Sequence, residues 1–294
     1  MTLRPIAVPL LAAVLSLVSS PARAQQGCVP PKDSNEEKLF RALSVPMAYG
    51  PLLAPTPPLP GELSLALEGT YLPTIDDETA TPTYCRPGKG PENVNQLSVL
   101  PRPRVRIGLP GGFAAEASWL PPIRINGVKS NLFGVSVERT VPWRSPAIGM
   151  RLRAHATFGT VHAPVTCPEE ALSDPESVCF GGSESDDTYK PNMFGLDLSL
   201  GLPVLGEALR GYGGVGVNWL RPRFQVGFTD ADGVVDDSKV ETNLTRFAYF
   251  GGLTWRLGGR IAVSGEVYAQ SSDAVTGRLA LAYTLRGGKD VTSR

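Results

Sequence analysis

Histidine with a carboxylate or hydroxyl partner is the combination in this chain best suited to acid–base or nucleophilic catalysis. The sequence holds two histidines, His155 and His162, followed by Ala-Thr and Ala-Pro respectively. Neither has an aspartate two residues before it, and neither lies in an Asn-x-His or His-x-Ser arrangement. The sequence also lacks a Gly-x-Ser-x-Gly nucleophile elbow. We therefore predict no catalytic site and expect that the protein is not an enzyme.

Two acidic stretches carry the oxygen ligands that a hard cation such as Ca²⁺ prefers. They contain Glu169, Glu170, Asp174, Glu176, Glu184, Asp186 and Asp187, and then Asp230, Asp232, Asp236 and Asp237. The Asp-Ala-Asp-Gly run at 230–233 is similar to the start of a calcium loop, and Glu241 in its twelfth position gives a partial fit. Because surface carboxylates are ordinarily solvated, we predict no metal site and no cofactor here. The alternative is loose bridging by divalent ions between these carboxylates and an anionic membrane surface.

A third set of charged residues alternates with apolar ones. In residues 97–109, for example, Arg102, Arg104 and Arg106 occupy every second position. The predicted charge network on this face consists of Arg102, Arg104, Arg106, Glu116, Glu138, Arg151, Arg153, Asp197, Arg246, Glu266 and Arg278. One interpretation is a salt-bridged, filled interior, because an unpaired charge in a narrow lumen is costly. The other is a narrow basic pore or cavity that favours small anions.

Hairpin geometry predicts partners within this network. Folding at 109–112 brings Glu116 opposite Arg104 and Arg106. Folding at 142–147 brings Glu138 beside Arg151. Glu68 and His155 point to the same face by the same alternation.

Strands are needed to position these charges, because residues two apart share a face only in an extended chain. Period-two alternation recurs near residues 62–72, 97–109, 112–123, 130–141, 147–161, 193–202, 210–228, 240–257, 260–270 and 276–286. Segments of about 9–13 residues suit tilted membrane-spanning strands. We predict an all-β fold, a transmembrane antiparallel up-and-down β-barrel of about ten strands over residues 62–286, with eight to twelve strands left open. An exported soluble β-sandwich is the alternative.

The segments between these strands alternate between tight and long. The tight connections are 110–112, 142–146, 203–209 and 258–259, and the long ones are 73–96, 124–130, 162–192, 229–239 and 271–275. Outer-membrane barrels keep short turns on the periplasmic side and long loops outside. The pattern therefore predicts acidic outer loops and places both chain ends on the periplasmic side.

Aromatic residues fall near the predicted strand ends on the apolar face. The predicted girdle consists of Tyr71, Trp119 and Trp219 toward the long loops and of Phe113, Trp255 and Tyr283 toward the tight turns. Trp and Tyr favour the headgroup level of a membrane because they combine an apolar ring with a polar group.

The N-terminus predicts export. Arg4 begins a short basic region, residues 8–18 are apolar, and Ala22-Arg23-Ala24 forms an A-x-A cleavage site. Residues 1–24 are therefore predicted as a signal peptide. Residues 25–61 are Pro-rich and are predicted as a periplasmic linker or a lumen plug. Ser34 and Glu37 have capping-box spacing and open a short helix over 35–43. Residues 287–294 are predicted as a polar tail.

Four cysteines in an exported chain favour disulfides. Cys167 and Cys179 lie in one long loop and are predicted to pair. Cys28 and Cys85 would pair by elimination, but the predicted topology puts them on opposite sides of the membrane. They could meet if residues 25–61 thread the lumen; otherwise they are free or pair elsewhere.

Signal peptide, alternation, loop asymmetry and girdle together make residues 62–286 resemble bacterial outer-membrane β-barrel proteins as a class. Omptin proteases resemble the chain in length and strand number, but their Asp-x-His pair is missing here. The last strand is followed by residues 286–294, whereas many members of the class end on an aromatic residue that the insertion machinery reads.

The class resemblance implies the outer membrane as location, and the lipid bilayer, lipopolysaccharide and insertion machinery as partners. Since 28 basic and 28 acidic residues balance, we predict no nucleic-acid partner. The main hypothesis is a non-enzymatic cell-envelope barrel with a largely filled lumen and a structural or adhesive role. The alternative is a narrow, porin-like diffusion channel or transporter for small, anionic or apolar solutes. The sequence assigns no oligomeric state.

Overall fold

Ten long strands form a closed antiparallel barrel in the computed structural model, which describes residues 27–271 and 273–287. The strands are β1 (Leu63–Tyr71), β2 (Val99–Gly108), β3 (Phe113–Leu120), β4 (Val128–Trp143), β5 (Ser145–Ala163), β6 (Met193–Leu205), β7 (Leu209–Leu220), β8 (Leu244–Leu257), β9 (Ile261–Gln270) and β10 (Ala274–Arg286). Each strand pairs with the next, and β10 pairs with β1 to close the barrel. The predicted ten-strand up-and-down barrel is confirmed.

The two faces of the barrel wall are the reverse of those in a soluble protein. Outward side chains such as Leu279 (70% exposed) are apolar, while inward ones such as Arg153 (1% exposed) are charged and buried. An apolar band on the outer face suits contact with lipid and does not suit contact with water. The closed barrel excludes the soluble β-sandwich that the sequence left open as an alternative.

Several strand boundaries differ from the predicted ones by a few residues, and two of the differences change a connection. The predicted strand over 210–228 ends at Leu220, since Pro222 has no N–H to continue the ladder. A separate short strand, Arg223–Gln225, then leaves the barrel wall. The connection predicted as long at 271–275 is short, because β10 already begins at Ala274.

The long connections fold together above one end of the barrel. Short strands Asp187–Lys190, Arg223–Gln225 and Lys239–Glu241 continue the sheet outward from β5. We call residues 72–98, 164–192 and 221–243 the canopy. The remaining short elements are helix α2 (Asp77–Ala80), the 3-10 turns Pro110–Gly112 and Glu169–Leu172, the strand pair Phe228–Thr229 with Val235–Asp236, and Arg124–Ile125, which pairs with β4.

Cys167 and Cys179 form the predicted disulfide, and Cys28 and Cys85, whose pairing the sequence left open, form a second one. Cys167 and Cys179 lie 5.6 Å apart between Cα atoms, and Cys28 and Cys85 lie 5.8 Å apart. Cys28 also forms a parallel bridge with Val240. Residue 28 therefore lies against the canopy, so the expectation that both chain ends lie at the short-turn end is wrong for the N-terminal side. The chain changes sides because it passes through the barrel.

Helix α1 (Asn35–Met47) begins at the predicted cap, where Ser34 Oγ accepts a hydrogen bond from the backbone N–H of Glu37. It extends beyond the predicted end at Leu43 because Val45 and Met47 are buried inside the barrel. Residues 44–58, here called the lumen segment, then run through the barrel toward β1. The predicted signal peptide (1–24) lies outside the described residues, as does nearly all of the predicted tail.

Within the described residues, no helix combines the length and the apolar character needed to cross a membrane.

Candidate functional site in the barrel lumen

A buried ion-pair cluster on β1, β2 and β3 centres on Arg104. Its Nε donates to Glu116 Oε1 at 2.7 Å, and its guanidinium also pairs with Glu68. Arg102 Nη1 lies 3.4 Å from Glu68 Oε1. The alternating register of these strands puts all four side chains on the inner face, as the sequence pattern predicts.

A second cluster lies on β2, β4, β5 and β6. Arg106 Nη2 donates to Glu138 Oε1 at 2.7 Å, and Arg151 Nη1 is 3.5 Å from Glu138 Oε2. The contact between Glu138 and Arg151 is the one that hairpin geometry predicts. Arg106 differs: Glu116 lies opposite it on β3, but its guanidinium contacts Glu138, two strands away on β4. The long arginine side chain reaches past its direct neighbour.

Asp197 on β6 binds Arg153 Nη2 at 2.6 Å and lies 3.6 Å from His155 Nε2. His155 is buried and lies on the inner face of β5.

A third cluster lies on β7, β9 and β10. Arg278 Nη1 donates to Glu266 Oε1 at 2.8 Å, and its guanidinium lies 4.3 Å from the ring centroid of Tyr268. The Tyr212 hydroxyl donates to Glu266 Oε2 at 3.1 Å. These two tyrosines are members of the site that the sequence analysis missed. Their period-two positions on β7 and β9 are the signal that could have identified them.

Arg246 takes part in a separate group at the long-loop rim. Its Nη2 lies 3.3 Å from Glu37 Oε1 on α1, and its Nε lies 2.9 Å from Asp273 Oδ2. The predicted network is thus divided in the structure into three lumen clusters and one rim group, and the rim group contacts the N-terminal helix.

The arginines also bind the lumen segment through its backbone carbonyl groups. Arg278 Nη2 donates to the Ala48 carbonyl, Arg104 Nη2 to the Gly50 carbonyl, and Arg151 Nη1 to the Leu53 carbonyl, each at 2.8 Å. Arg256 Nη2 also donates to the segment, at Thr56 Oγ1 and 3.0 Å. In the opposite direction, the Ala54 N–H donates to Thr254 Oγ1 at 2.8 Å. The surplus of arginines over carboxylates on the inner face is therefore used to hold this segment.

Tyr49 fills the centre of the lumen. Its side chain is 0% exposed, and the guanidinium carbons of Arg104 and Arg102 lie 4.3 and 5.5 Å from its ring centroid. Cations placed over an aromatic face are attracted to it, more strongly when water is excluded. The sequence analysis missed Tyr49, for which the only signal is one aromatic residue within a Pro-rich stretch.

All six residues of the predicted girdle are exposed on the outer face. Toward the canopy, Trp119 stacks on Phe133 and Trp219 on Phe194, with ring centroids 6.2 and 5.4 Å apart. The six residues are Tyr71, Trp119 and Trp219 at the canopy end and Phe113, Trp255 and Tyr283 at the short-turn end.

The acidic runs of the canopy are engaged with their own loops. Asp230 Oδ1 accepts hydrogen bonds from the backbone N–H groups of Asp232 and Val234, at 2.9 and 2.8 Å. Glu241 Oε2 lies 3.4 Å from Arg223 Nε. In the part of the chain that the structure describes, no group of three or more His, Cys, Asp or Glu side chains is placed to hold a metal ion.

Glu36 links α1 by hydrogen bonds to the first canopy loop, residues 72–98. Its Oε1 accepts hydrogen bonds from the backbone N–H groups of Thr83, Tyr84 and Cys85 at 3.0, 2.7 and 2.8 Å. Burial raises the pKa of this carboxyl, but the hydrogen bonds outweigh burial, and the net pKa is lowered. The contacts reinforce the Cys28–Cys85 disulfide beside them.

We expect Glu36→Ala to loosen this loop. Removal of the carboxylate leaves the Tyr84 and Cys85 amides without their acceptor, and their hydrogen exchange at neutral pH should become at least about tenfold faster. Because the folded pKa is lowered, the wild-type contribution is present above the ordinary carboxyl pKa and is lost as pH falls through the folded value. Glu78→Ala, at an exposed site, is the control. Unchanged protection in Glu36→Ala would mean that the disulfide alone holds the loop.

Comparison with known proteins does not assign the chain to a protein family. No protein-family model matches the sequence, and no curated protein matches it. The fold is that of a bacterial outer-membrane β-barrel, as the class resemblance of the sequence predicts. This assignment is based on the closed barrel and its outward apolar face.

Several solved structures are similar at low identity. The outer membrane protein Ail of Yersinia pestis is 11% identical, with 77% of this chain and 99% of that chain covered and a TM-score of 0.32. The N-terminal β-barrel domain of OprF of Pseudomonas aeruginosa is 10% identical, with 77% and 99% covered and a TM-score of 0.32. The outer membrane protein Omp33 of Acinetobacter baumannii is 8% identical, with 77% and 99% covered and a TM-score of 0.29.

Proposed function

We propose that this protein is a sealed, non-enzymatic barrel of the bacterial outer membrane, with a structural or adhesive role performed by its canopy on the cell exterior. The observation that carries the proposal is the lumen segment, which three arginines from different strands hold by its carbonyl groups. A lumen filled in this way supports a barrel that anchors a surface structure and does not conduct.

The location rests on physical arguments. The outward apolar band and its aromatic ends suit a bilayer. The A-x-A sequence before Gln25 and the two disulfides suit export to an oxidising compartment. Since long loops of such barrels face outward, the canopy would face the exterior. The partners we propose are the lipid bilayer, lipopolysaccharide and the insertion machinery.

The lumen segment is fixed at both ends, which favours a permanent seal. Above, the Cys28–Cys85 disulfide ties the chain that precedes α1 to the canopy. Below, the chain continues directly into β1. The inward arginines that would line an anion pathway contact carboxylates or backbone carbonyls. These contacts argue against the diffusion channel, which remains the alternative.

We expect the folded wild-type protein to be silent in planar bilayers. The sample would first be shown to run faster unboiled than boiled on a gel, which establishes a folded barrel. The charge-reversal variant Arg104→Glu tests the alternative, a diffusion channel. Its folding is checked on the same kind of gel. Steady wild-type conductance whose ion selectivity changes in Arg104→Glu would establish a narrow channel and overturn the sealed-barrel proposal.

A further inference from the structure

A crevice opens on the outer surface of the barrel, at the bend where the short canopy strands leave the wall of β6, β7 and β8. Pro191 and Pro222 interrupt two of the chain segments at this bend, since proline has no N–H to donate to a sheet. Asn192 has a φ of 40°, which turns the chain just before β6 begins. The crevice measures about 760 Å³, a volume typical of sites that bind small molecules.

The outward side chains of the three segments form three rows across this bend. The first row lies in the barrel wall, where Phe194 and Thr245 are both register partners of Trp219. The Phe194 and Trp219 rings are exposed and, with Phe158, give the crevice an aromatic floor. Trp219 belongs to the girdle, so with the canopy on the exterior the crevice opens at the headgroup level of the outer leaflet.

The second row lies at the bend itself and is polar. The Arg221 N–H donates to the Asn192 carbonyl at 3.0 Å, so these two residues lie side by side. Asn243 takes the corresponding position just before β8, and all three residues line the crevice. The Arg221 side chain is exposed, and in the part of the chain that the structure describes it forms no ion pair. A guanidinium and two amides therefore face any ligand in the crevice.

The third row lies on the canopy sheet, next to the crevice. Lys190 and Glu241 are both register partners of Arg223, and Lys239 lies opposite Gln225 on the same face. Like charges directly opposite each other, such as Lys190 and Arg223, are destabilising. Glu241 lies 3.4 Å from Arg223, which leaves the charge of Lys190 without a paired carboxylate among the described residues.

The cations of this region contrast with the neighbouring canopy segments. Residues 164–187 and 226–238 contain no lysine, arginine or histidine, although they carry the acidic runs of the canopy. Basic side chains are thus concentrated where the canopy meets the barrel wall, at the level of the membrane surface. An anionic group at that level would offset the repulsion between them.

We propose that this crevice binds the phosphorylated sugar headgroup of an outer-leaflet glycolipid, with a phosphate held by Arg221 and Lys190. Phosphate forms strong charge-assisted hydrogen bonds with such cations, and the amides of Asn192 and Asn243 can donate to sugar oxygens. The aromatic floor favours a lipid over a free anion, because it can pack against the apolar part of the molecule. The inference rests on the outer-membrane location and orientation proposed above, and it does not depend on whether the lumen is sealed.

Native mass spectrometry with lipid A, the phosphorylated glycolipid of lipopolysaccharide, tests the proposal. The mature protein in zwitterionic detergent, shown to be folded by its gel shift on boiling, is titrated with lipid A that carries two phosphates. We expect saturable retention of one lipid A per barrel. Lipid A without phosphates should be retained at least about tenfold more weakly, since it lacks the groups that the cations bind. Inorganic phosphate at the same concentration should not displace lipid A.

Single charge removals locate the site. Arg221→Gln and Lys190→Gln should each weaken the retention of lipid A about five- to tenfold, since each removes a charged donor. Arg221→Lys keeps the charge and should retain most of the affinity, and it serves as a second variant if Arg221→Gln fails to fold. Arg124→Gln is the control, because Arg124 is exposed at the same end of the barrel but lies outside the crevice, between β3 and β4.

Three results would overturn the assignment. Unchanged retention in the double variant Arg221→Gln/Lys190→Gln would place lipid A elsewhere on the barrel, and an equal loss in Arg124→Gln would make the binding a general effect of charge. Displacement by inorganic phosphate would make the crevice a site for free anions. A wild-type barrel that is folded and silent in planar bilayers but retains no lipid A would refute this inference alone, whereas a conducting barrel that retains lipid A would refute only the sealed lumen.

Discussion

Gly50→Leu is expected to displace the lumen segment and to make the barrel conduct. A Cβ at position 50 would collide with Arg278 Nη1 and lie 2.7 Å from Glu266 Oε1. Arg278 cannot move aside cheaply, because Glu266 and the Ala48 carbonyl both hold its guanidinium at 2.8 Å. Overpacking of this kind costs about 1–3 kcal/mol, which would raise the population with a displaced segment about 5- to 150-fold.

Two readouts separate displacement from conduction. Limited proteolysis of residues 44–58 reports whether the segment has left the lumen, and planar-bilayer recording reports open events. Gly90→Leu is the control, since a Cβ at that exposed canopy position meets no atom within 4 Å. If proteolysis shows the segment released in Gly50→Leu while the bilayer stays silent, the ion pairs alone seal the lumen. If neither readout changes, Arg278 accommodates the leucine and the packing argument is wrong.

The barrel wall was predictable because the membrane imposes the same rule on every strand. Each strand must present apolar residues outward, so the alternation repeats through residues 63–286 and local sequence is sufficient to show it. The strand predicted over residues 210–228 departs from that pattern near Pro222, and its predicted end is wrong. The chain there leaves the membrane and joins the canopy, where the alternation no longer determines the fold.

The path of the lumen segment was much harder to predict. Its main contacts are backbone carbonyls bound by arginines, and a carbonyl is present at every residue whatever the side chain. A Pro-rich stretch without periodicity therefore carries no signal of where it lies. Cys28 and Cys85 were the exception, since their pairing requires the N-terminal chain to reach the canopy.

The charge network lies between these two cases. Alternation placed its members on the inner face, and hairpin turns predicted the neighbours Glu138 and Arg151. The actual partner of Arg106 depends on how far its side chain extends across β3, which the pairing register does not determine. Strand alternation thus shows which side chains belong to the network. Which of them form ion pairs with each other depends on three-dimensional packing.

Arg104→Leu is expected to cost about 3–5 kcal/mol of unfolding free energy, because it leaves Glu68 and Glu116 buried without their shared cation. The Arg104 side chain is 0% exposed, so water cannot replace the lost contacts. The variant also removes the hydrogen bond to the Gly50 carbonyl. Urea unfolding of the lipid-reconstituted barrel, followed by the gel shift between unboiled and boiled samples, measures the change.

An exposed ion pair gives the matched control for this loss. Arg223 is 64% exposed and lies 3.4 Å from Glu241, so Arg223→Leu should cost no more than about 1 kcal/mol. The double variant Arg104→Leu/Glu116→Leu should recover part of the loss, since it removes one uncompensated carboxylate while Glu68 keeps Arg102. Equal costs for Arg104→Leu and Arg223→Leu would mean that water reaches the lumen clusters, and the proposal of a sealed barrel would fail with them.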